Sequence, residues 1–289
     1  MEMARFGPAG NSDAFWDEGN KETLQAPAWV ARRGLNAYEY QCGRGVRIRP
    51  EMAEELGARA RDHGIALSLH APYYISLASA DPAKRDNSVR YILDSGRAVA
   101  GMGGQRIVVH PGGLGGLPRA EAAALACETL RRAQTALDEE GLSEVRLCPE
   151  TMGKINQLGD LDEVLLMCGV DERFLPCVDF GHMNARTLGG CATREAYAAV
   201  LDAVEDRLGG ERMRSMHIHF SRIEFTAGGE KRHWTFSQTQ FGPDPAPLME
   251  LLAQRRCVPT VICESSGTQA ADALTMQAMY RKATQNRQG

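Results

Sequence analysis

The chain has 289 residues, 43% of them hydrophobic and 24% charged, enough apolar material to fill a large core. Its net charge of −4 excludes a globally basic nucleic-acid binder, so any contact with DNA needs a local patch or bound cations. No stretch approaches the ~20 apolar residues of a membrane span, and the opening Met-Glu-Met-Ala-Arg-Phe-Gly lacks an apolar signal region, which predicts a soluble cytoplasmic protein.

In chain order, a short strand starts at Arg5 and breaks in Gly-Pro-Ala-Gly, and a helical pattern covers Thr23–Arg33. Asn36–Gln41 reads as a second strand. Pro50 marks a helix start before Met52–His63. Ile65–Leu69 is a third strand, ending in His70-Ala-Pro-Tyr-Tyr. The unit then repeats. Helix 86–102 precedes strand Arg106–Val109 and His110, and helix 119–139 precedes Val145–Cys148 and Glu150. Helix 161–168 precedes Leu175–Val178 and Asp179, and helix 194–208 precedes Arg214–Ile218 with His217 and His219. Helix 245–254 precedes Pro259–Cys263 and Glu264, and Ala270–Thr284 closes the chain. Eight strands alternating with eight helices predict one (β/α)₈ barrel domain spanning residues 1–289. Phe220–Gly242 is too long for a plain connection and is expected to be functional.

None of the eight cysteines forms a C-x-x-C pair; Cys148, Cys177 and Cys263 fall in predicted strands and read as small apolar residues of a reducing compartment. Barrel enzymes place their chemistry at the C-terminal ends of the strands. Here those ends carry His70, His110, Glu150, Asp179, His217 and Glu264, with His182 on the turn after Asp179 and His233 in the long loop. Gly181 is expected to let that turn close sharply. Any one of these residues alone is more often structural, but six successive strand ends bearing imidazole or carboxylate predict a site for zinc, manganese or iron. Two or three cations would relieve the repulsion among the carboxylates, with Glu150 as the bridge. His219 is assigned to a supporting position behind the ligands, and His63 to a helix exit.

Taken together, Leu69-His70-Ala-Pro-Tyr73, Val109-His110-Pro-Gly112, Pro149-Glu150-Thr, Asp179-Phe-Gly-His182, Met216-His217 and Cys263-Glu264 make the chain resemble the endonuclease IV family along essentially its whole length. The resemblance implies a trinuclear zinc barrel that cuts double-stranded DNA 5′ to abasic sites, acting as a monomer. It implies His70, His110 and Glu150 on one ion, and Glu150, Asp179, His217 and Glu264 on a second. His182 and His233 would help hold a third. Glu150 and Glu264 would be the catalytic carboxylates, and Tyr73, Tyr74 and Arg44 would face DNA. The family's aspartate two residues before the last histidine is replaced by Lys231, with Glu230 one residue further away. The chain also resembles xylose-isomerase-like sugar epimerases, in which one metal and two glutamates, here Glu150 and Glu264, suffice. His70 and His110 separate the two readings, because an epimerase has no need of them.

Overall fold

The structure, a computed structural model, describes residues 3–287. Seven strands of the ring come first: β1 (Arg5–Pro8), β2 (Ala37–Gln41), β3 (Ala66–His70), β4 (Arg106–Val109), β5 (Arg146–Pro149), β6 (Cys177–Asp179) and β7 (His217–Phe220). A hairpin, β8 (Arg222–Thr226) and β9 (Gly229–Trp234), then interrupts the alternation before the last ring strand, β10 (Thr260–Cys263). All ring pairings are parallel. They form two four-stranded sheets, β1-β10-β7-β6 and β2-β3-β4-β5. Single bridges at Ala9–Glu39 and Glu150–Cys177 join the sheets at both seams and complete the circle. Gly7 serves the first seam: a Cβ there would stand 1.9 Å from the Ala37 carbonyl oxygen.

The helices are α1 (Asp13–Asp17), α2 (Ala26–Arg32), α3 (Pro50–Asp62), α4 (Pro82–Gly101), α5 (Arg119–Glu139), α6 (Leu161–Cys168), α7 (Phe180–Arg186), α8 (Arg194–Leu208), α9 (Gly210–Ser215), α10 (Ala246–Gln254) and α11 (Gln269–Asn286). Their starts follow local chemistry. Pro50 and Pro82 occupy first turns, where their missing N–H costs nothing. Asp160 and Glu163 cap α6 reciprocally. Among the described residues no helix is long and apolar enough to cross a membrane.

The large core lies between strands and helices, where outward-facing Phe6, Leu69, Ile107, Leu147, Val178, Ile218 and Val261 meet the helical layer. Inside the ring a small apolar cluster, Val108, Cys148, Leu175 and Cys177, fills one side. Much of the remaining interior is polar and buried: Glu39, Ser68, His217 and His219. A ring filled this way has its charges paired or serving a ligand, because unpaired buried charge is costly.

The structure departs from the sequence expectation in four places. Thr23–Arg33 splits into a 3-10 turn, Thr23–Gln25, followed by α2. Phe220–Gly242 folds into the β8–β9 hairpin rather than an irregular loop. The turn after Asp179 is the first turn of α7. The seventh strand starts at His217 rather than Arg214, because residues 210–215 wind into α9.

Candidate metal centre

The ends of β3, β4 and β5 bring His70, His110 and Glu150 together. The His70 and His110 Nε2 atoms face each other at 3.2 Å. Glu150 Oε2 lies 3.3 Å from the first and 3.0 Å from the second. The His70 Nδ1–H donates to the Ala71 carbonyl at 2.9 Å, which leaves Nε2 as the lone-pair nitrogen aimed at this point. Two imidazole nitrogens and a carboxylate oxygen converging this closely form a donor set that one cation would satisfy.

The second group comes from β5, β6, β7 and β10: Glu150, Asp179, His219 and Glu264. Asp179 is the N-cap of α7, and its Oδ1 accepts the His182 backbone N–H at 2.7 Å. Its other oxygen, Oδ2, is buried without a hydrogen-bond partner, as is Glu150 Oε2. The same capping turn fixes His182 three residues on. Gly181 is required by packing rather than by backbone torsion, since a Cβ there would meet the Ser221 carbonyl oxygen at 2.5 Å.

His219, not His217, belongs to this group. Its Nδ1 lies 3.2 Å from Glu150 Oε1 and 3.4 Å from Glu264 Oε1. His217 sits one layer deeper in the ring, with Nε2 3.0 Å from Glu39 Oε2. Both imidazoles point inward, since residues two apart share a strand face. The later start of β7 carries His219 up to the mouth and leaves His217 below it.

The third group is His182, Glu230 and His233. The His182 Nδ1–H donates to the Thr151 carbonyl at 2.9 Å, and Nε2 lies 3.5 Å from Glu230 Oε2. His233 Nε2 lies 3.7 Å from Glu230 Oε1. Glu230 gets there through a β-bulge. The register passes from Phe225–Glu230 to Glu224–Arg232, so Lys231 is the extra residue. An extra residue inverts the alternation, and Glu230 joins the face of His233 that Lys231 would otherwise share. Lys231 instead extends to Glu224, Nζ to Oε1 at 2.6 Å.

In each group the donor atoms lie within 4.8 Å of one another. Burial would push Glu150 up, but the charges of His110 and His219 outweigh it and hold the carboxyl well below its usual range. Burial raises Glu264, and its neighbour Glu150 adds to the rise. Burial also works against Glu230, yet His233 and His182 bring it down to about 2. For His182 burial opposes charge, but Asp179, Glu150 and Glu230 raise it well above the usual imidazole value. Without cations the cluster must recruit protons onto histidines to offset its carboxylates. Imidazole and carboxylate donors, with two orphaned buried oxygens among them, fit zinc, manganese or iron in their place.

Behind these groups lies Glu39, fully buried. Its Oε2 accepts from Ser68 Oγ at 3.0 Å and its Oε1 from Gln41 Nε2 at 3.1 Å. Oε1 is also 3.1 Å from His219 Nε2. The ring of His219 stands between two carboxylates, its Nδ1 hydrogen-bonded to Glu150 at the mouth and its Nε2 close to Glu39 but without a hydrogen bond. A carboxylate behind a ligating imidazole fixes its tautomer and orientation. The sequence reading passed over Glu39 because it lies inside a strand, although an acid between Tyr38 and Tyr40 on the alternating face was a visible signal.

A cavity of about 510 Å³ opens over the groups, lined among others by Tyr73, Lys154, His182, Glu230 and Glu264. The Tyr73 ring stands 5.4 Å from the His70 ring and 5.3 Å from the His110 ring, with more than half its surface exposed. Tyr74 is equally exposed but turns aside, toward Tyr91 at 6.1 Å. Arg44 is exposed on the loop after β2, next to the Gly43 carbonyl that accepts the Tyr73 N–H, and does not line the cavity.

The model of the xylose isomerase-like TIM barrel family matches residues 27–283. An uncharacterized protein of Methanocaldococcus jannaschii is 33% identical over 265 residues, covering 91% of this chain and 92% of its own. A probable endonuclease 4 of Acholeplasma laidlawii is 30% identical over 186 residues, covering 62% of this chain and 61% of its own. Among solved structures, a D-tagatose 3-epimerase-like protein superposes with a TM-score of 0.73 at 15% identity, over 99% of this chain and all of its own (100%).

Proposed function

The chain belongs to the xylose isomerase-like TIM barrel family, and from that premise we propose that it is a metal-dependent phosphodiester hydrolase cutting duplex DNA 5′ to abasic sites. The observation that carries this reading is Glu150. One oxygen faces His70 and His110, the other faces His219, so a single carboxylate serves two adjacent ligand groups. A one-metal epimerase uses only the Glu150, Asp179, His219 and Glu264 set and leaves His70 and His110 without a purpose. The sequence similarity to proteins described as probable endonuclease 4 points the same way.

In this reading His70, His110 and Glu150 would hold one ion, and Glu150, Asp179, His219 and Glu264 a second. His182, Glu230 and His233 would hold a third. Such ions, when bound, lower the pKa of water and neutralise the attacking and leaving oxygens of a phosphodiester. The protein's part is to hold its carboxylates ionised and its imidazoles in the ligating tautomer. Ala71 and Thr151 carbonyls do this for His70 and His182, and the charge of Glu39, 3.1 Å behind Nε2, favours it for His219. Tyr73, exposed at the mouth, is placed to lie against a nucleotide turned out of the duplex, which is cheap where no base pair has to be broken. Lys154 on the cavity wall offers a cation to a phosphate, and Tyr74 and Arg44 would meet the duplex outside it. Acting as a monomer in a reducing compartment, the protein would keep its eight cysteines as the free thiols they are here.

The second reading, a sugar epimerase, draws on the four-residue set around Glu150 and Glu264 as acid and base. The two separate in one assay. Metal-loaded protein is incubated with a duplex carrying a tetrahydrofuran abasic analogue and, separately, with ketohexoses. Nicking 5′ to the analogue, lost in His110→Ala, supports the hydrolase. Epimerisation without nicking, little changed in His110→Ala, refutes it.

A further inference from the structure

The opposite end of the barrel carries a cavity of about 700 Å³, bordered by Arg5, Arg61, Arg106, Arg146 and Arg214, with Glu211 the one acid on its wall. We propose that this cavity binds a compact diphosphate anion. Arg5, Arg106 and Arg146 open β1, β4 and β5, and Arg106 and Arg146 are register partners. All three stand on the inward face, since Phe6, Ile107 and Leu147 between and beside them face the helices. The ring itself therefore aims three guanidiniums into one concave space.

Arg106 shows that the arrangement is not plain solvation of surface charge. Its side chain crosses the floor from β4 to the segment before β7, where Nη2 donates to the Ser215 carbonyl at 2.9 Å and Nη1 to the Met216 carbonyl at 3.4 Å. Its hydrogen-bond partners are neutral. Burial, with like charge from Arg5 and Arg146 nearby, pulls its pKa down. Among the described residues none of the five arginines is ion-paired, whereas Arg33, Arg97, Arg119, Arg132 and Arg173 all are. A chain of net charge −4 has acids to spare, yet these arginines are left to one another. Like charges gathered on one concave wall repel each other, and their summed field is focused on an anion that enters. Guanidiniums suit phosphate oxygens in bidentate geometry. A duplex about 20 Å wide cannot pass into a ring of eight strands, so the ligand is small. It would bind about one strand length, roughly 15 Å, from the metal centre and leave that centre's chemistry alone.

The test is isothermal titration of zinc-loaded protein with inorganic pyrophosphate, and in parallel with ADP. Arg5→Ser/Arg146→Ser is the variant; both side chains are exposed, so the fold should persist, as circular dichroism will verify. Any zinc drawn off by the probe is common to both proteins, so their difference reads the floor alone. We expect saturable binding, weakened by added salt, that falls tenfold or more in the double variant. Binding of pyrophosphate alone assigns the free anion, and binding of both assigns a diphosphate ester. Equal affinity in the double variant, or no saturable binding of either probe at millimolar concentration, overturns the proposal.

Discussion

Replacing Glu39 by glutamine tests how far the imidazoles depend on the acid behind them. The change is nearly isosteric, so packing survives. The carboxylate now has Ser68 and Gln41 as donors and stands within 3.0 and 3.1 Å of His217 and His219. Glutamine keeps one acceptor oxygen and turns an NH₂ toward the other partners. One imidazole then faces a donor, and His219 loses the negative charge 3.1 Å behind its Nε2, which favours the tautomer with the Nδ1 lone pair toward the mouth. Losing such a partner typically costs about 10–100-fold in metal affinity, or about 1.4–2.7 kcal/mol. A buried donor left without an acceptor costs roughly 1–3 kcal/mol of stability besides. Competition with a chromophoric chelator gives the zinc affinities, and thermal melting of the metal-free proteins gives the stability term separately. Glu39→Gln binding every ion as tightly as the wild type would refute the reasoning, whatever its melting temperature.

Three further expectations follow from the coordinates. His219→Asn should lower bound metal by about one ion per chain, whereas His217→Asn should keep the full count and lose stability instead; elemental analysis after dialysis decides, and the reverse pattern contradicts the assignment. Glu230→Ala should cost one ion, while Lys231→Ala should cost none, since Lys231 turns away to Glu224; loss in both variants would mean the hairpin, not the carboxylate, sets the site. Gly7→Ala drives a methyl group into the Ala37 carbonyl and should destabilise by roughly 3 kcal/mol or more, read from the urea midpoint. A midpoint equal to the wild type would show that the first seam can open to admit a side chain.

How legible the molecule was depended on which rule governed each segment. The ends of β3, β4, β5, β6 and β10 could be read because short apolar runs stop there, and the polar residue just beyond must face the mouth. The seventh strand could not. Arg214-Ser-Met looks extendable as strand, yet a glycine pair at 209–210, with Gly209 at φ 87°, ends α8 and starts α9 in its place. That shift of about one inward position puts His219, rather than the expected His217, at the mouth. Asp179 and His182 were found by residue type, while the capping geometry that binds them together needed coordinates. Glu230 escaped for another reason. Strand alternation is a parity rule, and a bulge changes parity without leaving a mark in composition. Of the residues expected to face DNA, Tyr73 lies beside the histidines at the mouth, while Arg44 stands apart from them.

The two seams carry a consequence for the metal-free chain. His70, His110, Glu150 and Glu39 hang from one four-stranded half, and Asp179, His219 and Glu264 from the other. Each seam is a single bridge with a few flanking backbone bonds. An ion held by Glu150 and His219 would act as a clasp between half-rings, and stripping it should loosen amide protection first along Phe6–Gly10 and Leu147–Thr151, leaving the interior of each half shut.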